Sequence, residues 1–119
     1  MLNLDTHILI FALMGQVNAR ERKLLSTHSW SISAIVLWEI CKLRQLGRIE
    51  LDLNDRDVLD IIENVHVWPI TLNVCKKTWE LDFSSDPADE IIAATSLVYN
   101  VPLLTRDQRI LGSSLVPLV

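Results

Sequence analysis

The chain has 119 residues, of which 50% are hydrophobic and 22% charged, with 15 acids against 11 lysines and arginines and a net charge of −4. This length fits one domain over residues 1–119 with one core, and the composition excludes disorder. No apolar run nears the roughly 20 residues of a membrane span, and an acidic chain lacks a broad grip on phosphates while leaving room for a compact acidic site that works through bound cations.

Leu2–Leu4 is a short apolar run that reads as a buried strand, and Asp5 follows at once. Thr6 to Met14 reads as a short helix ending near Gly15. Asn18 to His28 reads as a more polar helix with Arg20, Arg22 and Lys23 on its outer side. Trp30-Ser31-Ile32-Ser33 alternates large and small side chains, as a strand does. Ser33 can cap a helix from Ala34 to about Leu46, stopped at Gly47. Asn54 or Asp55 opens a helix to about Val65. Val67 to Ile70 is extended, and Pro69 confines it to a sheet edge or strand end. Leu72 to Leu81 reads as helical, and Asp86-Pro87 starts a helix that runs to about Tyr99. Pro102 to Thr105 is a strand, and Leu115–Val119 is a candidate last one.

Strands alternating with helices predict an α/β fold: a parallel sheet of four or five strands, covered on both faces. Ligands of such sheets gather at the carboxyl ends of the strands. Asp5 and Asp107 follow strands, while Glu39 and Asp89 lie one or two turns into helices that leave the same rim. Each has a plain structural reading. Glu39 could face water, Asp5 could cap a helix, and Asp107 could be a turn residue. Asp89 gains from the helix dipole, and Asp86 reads first as an N-cap. Their chemistry comes from being gathered. Two carboxylates about 4 Å apart repel by roughly 4 kcal/mol at an effective dielectric of 20, so the group calls for a divalent cation. Oxygen donors suit Mg²⁺ or Mn²⁺, and no Cys/His cluster points to zinc. Such an ion activates water and neutralises phosphate.

Cys41 and Cys75 lie among apolar neighbours and read as core residues of a reduced compartment, the cytoplasm, with no secretory leader at the amino end. Trp30, Trp38, Trp68 and Trp79 read as core or interface. So apolar a small chain is expected to bury some surface against another chain. His7, counted by helical steps of about 100° from Asp5, points away from the acids.

Four stretches carry a resemblance. Leu4-Asp5-Thr6-His7, Ser33-Ala34-Ile35 with Trp38-Glu39-Ile40, Asp86-Pro87-Ala88-Asp89 with Ile92-Ala93-Ala94-Thr95, and Leu103-Leu104-Thr105-Arg106-Asp107 together resemble the PIN-domain family, and within it VapC-type toxins. They span nearly the whole chain in the family's order. The resemblance implies a Rossmann-like three-layer α/β/α domain and Mg²⁺- or Mn²⁺-dependent cleavage of RNA. It implies a homodimer and a small VapB-like antitoxin that often delivers an Arg to the acids. Asp5, Glu39, Asp89 and Asp107 match the family's acidic quartet, and Thr6, Ser33 and Thr105 its hydroxyl positions. Glu90 stands where similar sequences commonly carry Arg; one helical step turns it about 100° from Asp89. Among the cations, Arg20, Arg22, Lys23, Lys42 and Arg44 read as solvated surface, and Arg106, beside Asp107, is the expected phosphate contact. Two rivals remain: a catalytically silent partner-binding domain, and another phosphoryl-transfer domain. A receiver domain would carry Lys after its last central strand, where Arg106-Asp107 stands.

Overall fold

The computed structural model describes residues 1–119, and its frame is a four-stranded parallel sheet. Strands β1 (Leu2–Leu4), β2 (Trp30–Ser33), β3 (His66–Trp68) and β4 (Leu103–Leu104) lie in the order β3-β2-β1-β4. Asn3 of β1 pairs with Ser31 on one side and Leu103 on the other. Parallel neighbours need crossovers, and helices supply them. Helices α1 (Thr6–Met14) and α2 (Ala19–Thr27) link β1 to β2, and α3 (Ala34–Gln45) and α4 (Arg56–Asn64) link β2 to β3. Helix α5 (Leu72–Lys77), a 3-10 turn (Thr78–Glu80) and α6 (Pro87–Tyr99) lead to β4, and α7 (Gln108–Leu111) follows it.

Successive residues of a strand face opposite ways, yet Leu2, Asn3 and Leu4 are all buried, so both faces of the sheet are covered. On the Asn3 face lies α6: Asn3 Nδ2 donates to Ser96 Oγ at 2.9 Å and to the Ile92 carbonyl at 3.4 Å. The core is one cluster of 18 buried residues, drawn from the strands and from α1, α3 and α6 among others. Each Leu or Ile buried there contributes roughly 1.5–3 kcal/mol.

The helix starts follow the capping chemistry in the sequence. Asn18 and Glu21 form a reciprocal capping box at α2, and Ser33 and Asp55 cap α3 and α4 through their side chains. Gly15 ends α1 in the left-handed region at φ 69°, a conformation glycine adopts without strain. β3 lies at a sheet edge, as Pro69 requires.

Some expectations are corrected. Leu115–Val119 forms no strand; it meets β4 through a single bridge, Leu103 to Leu118, because Pro117 brings no N–H to a longer ladder. Cys41 and Cys75 are exposed, not core. Cys41 follows Ile40, which is buried, and one helical step of about 100° turns it outward. Trp38 and Trp79 are 60% and 80% exposed, so neither is core. No helix is long and apolar enough to cross a membrane.

Candidate active site

The carboxyl ends of β1 and β4 bring the site together. Asp5 ends β1 with extended backbone angles, φ −65° and ψ 155°, and caps α1. It is 5% exposed. Its Oδ1 accepts the Thr6 N–H at 2.8 Å, and its Oδ2 accepts the Thr105 hydroxyl at 2.6 Å. The same Thr105 oxygen accepts the Asp107 N–H at 3.0 Å, which ties the two strand ends together. Asp107 caps α7: its Oδ1 accepts from Arg109 N at 2.9 Å and Ile110 N at 3.1 Å. Glu39, in the second turn of α3, accepts the Thr6 hydroxyl at Oε1. Asp89, in the first turn of α6, accepts the Ser85 hydroxyl at Oδ2, 2.8 Å away.

Asp5, Glu39, Asp89 and Asp107 line one cavity of about 870 Å³. Asp86 lines it too. Asp86 stands at the N-cap position of α6, but its side chain makes no capping hydrogen bond. Turning back onto the first turn would press it toward the Asp89 carboxylate, whose proton affinity it already raises. Ser33 is a buried cap and lies off the cavity lining. Glu90 also lies off it, accepting from Ser85 N at 3.0 Å. His7, by contrast, lines the cavity. The angular count from Asp5 misplaced it because Asp5 is extended and precedes the helix.

Arg106 lines the cavity but is already engaged. Its Nε and Nη2 donate to the two Glu21 carboxylate oxygens at 2.7 and 2.6 Å, and its guanidinium lies 4.1 Å over the Phe11 ring. Sequence reasoning missed Glu21; its one signal was a Glu three residues after Asn18, which also reads as half of a capping box. Arg48, on the loop after α3, lines the cavity and was passed over as well. Arg20, Arg22, Lys23, Lys42 and Arg44 do not line it.

Burial pushes the Asp5 carboxyl above its ordinary range, against the hydrogen bonds from Thr105 and Thr6. Burial likewise raises Glu39, with the Asp89 and Asp5 charges adding to it. Asp89 is raised by burial and then by Asp5, Asp107 and Asp86. Three carboxyls in one cavity are thus raised together, and His7 offsets the rise at Asp5 and Glu39 only in part. Glu39, Asp89 and Asp107 each keep one carboxylate oxygen free of protein hydrogen bonds. No three Asp, Glu, His or Cys side chains close around a common point as a ligand cage. The donor set still fits a hard cation, since Mg²⁺ is commonly held by one or two carboxylates with water and substrate phosphate completing its shell.

Solved structures share this fold. A toxin–antitoxin complex from Klebsiella pneumoniae aligns at a TM-score of 0.70 and 19% identity, over 94% of this chain and 92% of that one. VapBC2 from Rickettsia felis, bound to a promoter DNA fragment, aligns at 0.73 and 19%, over 100% and 98%. FitAcB from Neisseria gonorrhoeae aligns at 0.73 and 23%, over 99% and 96%. No curated protein matches the sequence. The PIN domain family matches residues 3–112. With that match across nearly its whole length, the chain belongs to the PIN domain family.

Proposed function

We propose that this chain is a Mg²⁺- or Mn²⁺-dependent endoribonuclease that cuts single-stranded or looped RNA as the toxin of a VapBC-type pair. The observation that carries the reading is the one cavity in which burial and mutual repulsion raise Asp5, Glu39 and Asp89 together. Membership of the PIN family supports a nuclease, and neighbours named as toxin–antitoxin complexes support the pairing.

Asp5, Glu39 and Asp89 would hold the ion, one or two of them directly and the rest through water, and the ion would supply Lewis acidity toward water and charge neutralisation for a phosphodiester. The chain's own groups do the rest. Thr105 and Thr6 hold the carboxylates of Asp5 and Glu39 by donating hydroxyl hydrogens, so their lone pairs face the cavity in fixed directions. Asp107 Oδ2, free of protein partners, would orient the attacking water and accept its proton as the new P–O bond forms, while the scissile P–O bond breaks and the departing oxygen takes a proton from solvent. Arg48 is the cavity-lining cation that forms no protein ion pair, and it is the candidate phosphate contact. The reading also gives the protein a cytoplasmic setting, a VapB-like antitoxin and a second copy of itself. The exposed Trp79, Leu72 and Trp38 support burial against another chain.

The test is a calorimetric Mn²⁺ titration beside an RNA cleavage assay with and without chelator, on wild type and Asp5→Asn. Metal uptake and cleavage should both be present in wild type and absent in the variant, whose fold is retained. Cleavage-free wild type with unchanged antitoxin binding would instead favour a silent partner-binding domain.

A further inference from the structure

We propose that Glu21 and Arg106 form a positioning clamp for the acidic rim and that Arg106 is not a phosphate contact. The inference rests on the rim being a cation site. Glu21 is 3% exposed at the start of α2, where its Oε1 also accepts the Asn18 N–H at 2.9 Å. Both its oxygens meet Arg106 in a two-pronged pair, the geometry that fixes direction as well as charge. The guanidinium is held from its face by Phe11 of α1.

Three consecutive side chains are therefore anchored at three separate places. Thr105 is bonded to Asp5 at the end of β1, Arg106 to Glu21 at the start of α2, and Asp107 to the first turn of α7. The backbone between them carries Asp107 to the cavity and has little freedom left. Swinging Arg106 to a phosphate would strip its partner from a buried carboxylate, which the fold resists. The pair therefore serves the rim from behind, through the turn at 105–107.

The experiment uses the full chain with Glu21→Gln and Arg106→Lys. Gln preserves the capping box at α2, so Glu21→Gln folds; Arg106→Lys keeps the charge and loses the fork. The probe is Mn²⁺ without RNA, followed by kcat, KM and salt dependence on single-stranded RNA. Each variant should weaken Mn²⁺ binding about 10-fold, in line with other groups that orient a metal ligand, and lower kcat while KM and the salt slope stay put. Unchanged Mn²⁺ affinity with a raised KM in Arg106→Lys would overturn the clamp in favour of a phosphate contact, since the lysine keeps the charge but loses the fork on the phosphate. Tighter RNA binding by Glu21→Gln, with Arg106 released, would overturn it too. If wild type takes up no Mn²⁺, the clamp falls together with the reading of the rim. If Asp5→Asn loses Mn²⁺ while Glu21→Gln matches wild type, the clamp alone falls.

Discussion

Glu21 and Asp5 are both carboxylates buried to within a few per cent, and their environments push them in opposite directions. The hydrogen bonds from Arg106 hold Glu21 below the usual carboxylate range, against the cost of burial. Asp5 has only hydroxyl and amide donors, and burial holds it above that range. The protein gives Glu21 an ion pair at the corner where α2 begins, and gives Asp5 at the end of β1 only the partial offset of His7. The difference separates a carboxylate that serves the fold from one that the proposed function assigns to a cation.

The sharpest way to break this contrast is Asp5→Asn. It keeps an oxygen for the Thr6 N–H but removes the charge. RNA cleavage should fall by more than about 100-fold, beyond the loss typical of groups that only orient a ligand, as read by initial rates in Mn²⁺. Next is Arg106→Met, which leaves Glu21 buried and unpaired. Its cost should be about 2 kcal/mol by urea unfolding at pH 7; the half-exposed Arg106 keeps it below that of a fully buried pair. Thr105→Val keeps the shape and removes the hydroxyl that joins Asp5 to Asp107. It should cost about 1 kcal/mol in stability and reduce Mn²⁺ affinity about 10-fold by calorimetry.

The smallest effect is the most diagnostic. The folded Asp5 carboxyl lies above its unfolded value of 3.8, so its contribution to stability is fully present below that pH and is lost as pH rises through the folded value. Glu21 runs the other way: its contribution is present above 4.5 and is lost as pH falls through its folded value. In metal-free protein, Asp5→Asn should therefore raise Tm at pH 7, and the gain should vanish toward pH 4. Glu21→Gln should lower Tm at pH 7, and that loss should also fade on acidification. Parallel pH profiles for the two variants would dissolve the distinction drawn here.

Local chemistry made most of the frame legible. The run Leu2–Leu4, the caps Asn18, Ser33 and Asp55, and Asp86-Pro87 before α6 gave boundaries close to those observed, since each is decided by neighbours a few residues away. The positions of Asp5, Glu39, Asp89 and Asp107 on one rim followed from strand ends and helix starts. What stayed hidden depends on distant partners. Nothing near Arg106 in the chain announces Glu21, which is 85 residues away. The outward turn of Cys41 and the cavity-facing turn of Asp86 are decided by what packs against each helix, which its own residues do not reveal.

The bond from Thr105 to Asp5 spans 100 positions of the chain. A ribosome working from the amino end makes Asp5, Glu39 and Asp89 before Asp107 exists. Closing so long a loop is slow and cannot begin until β4 has emerged. No partial product of synthesis that lacks residue 107 holds the whole rim, so the four acids meet only after the rest of the frame has been made.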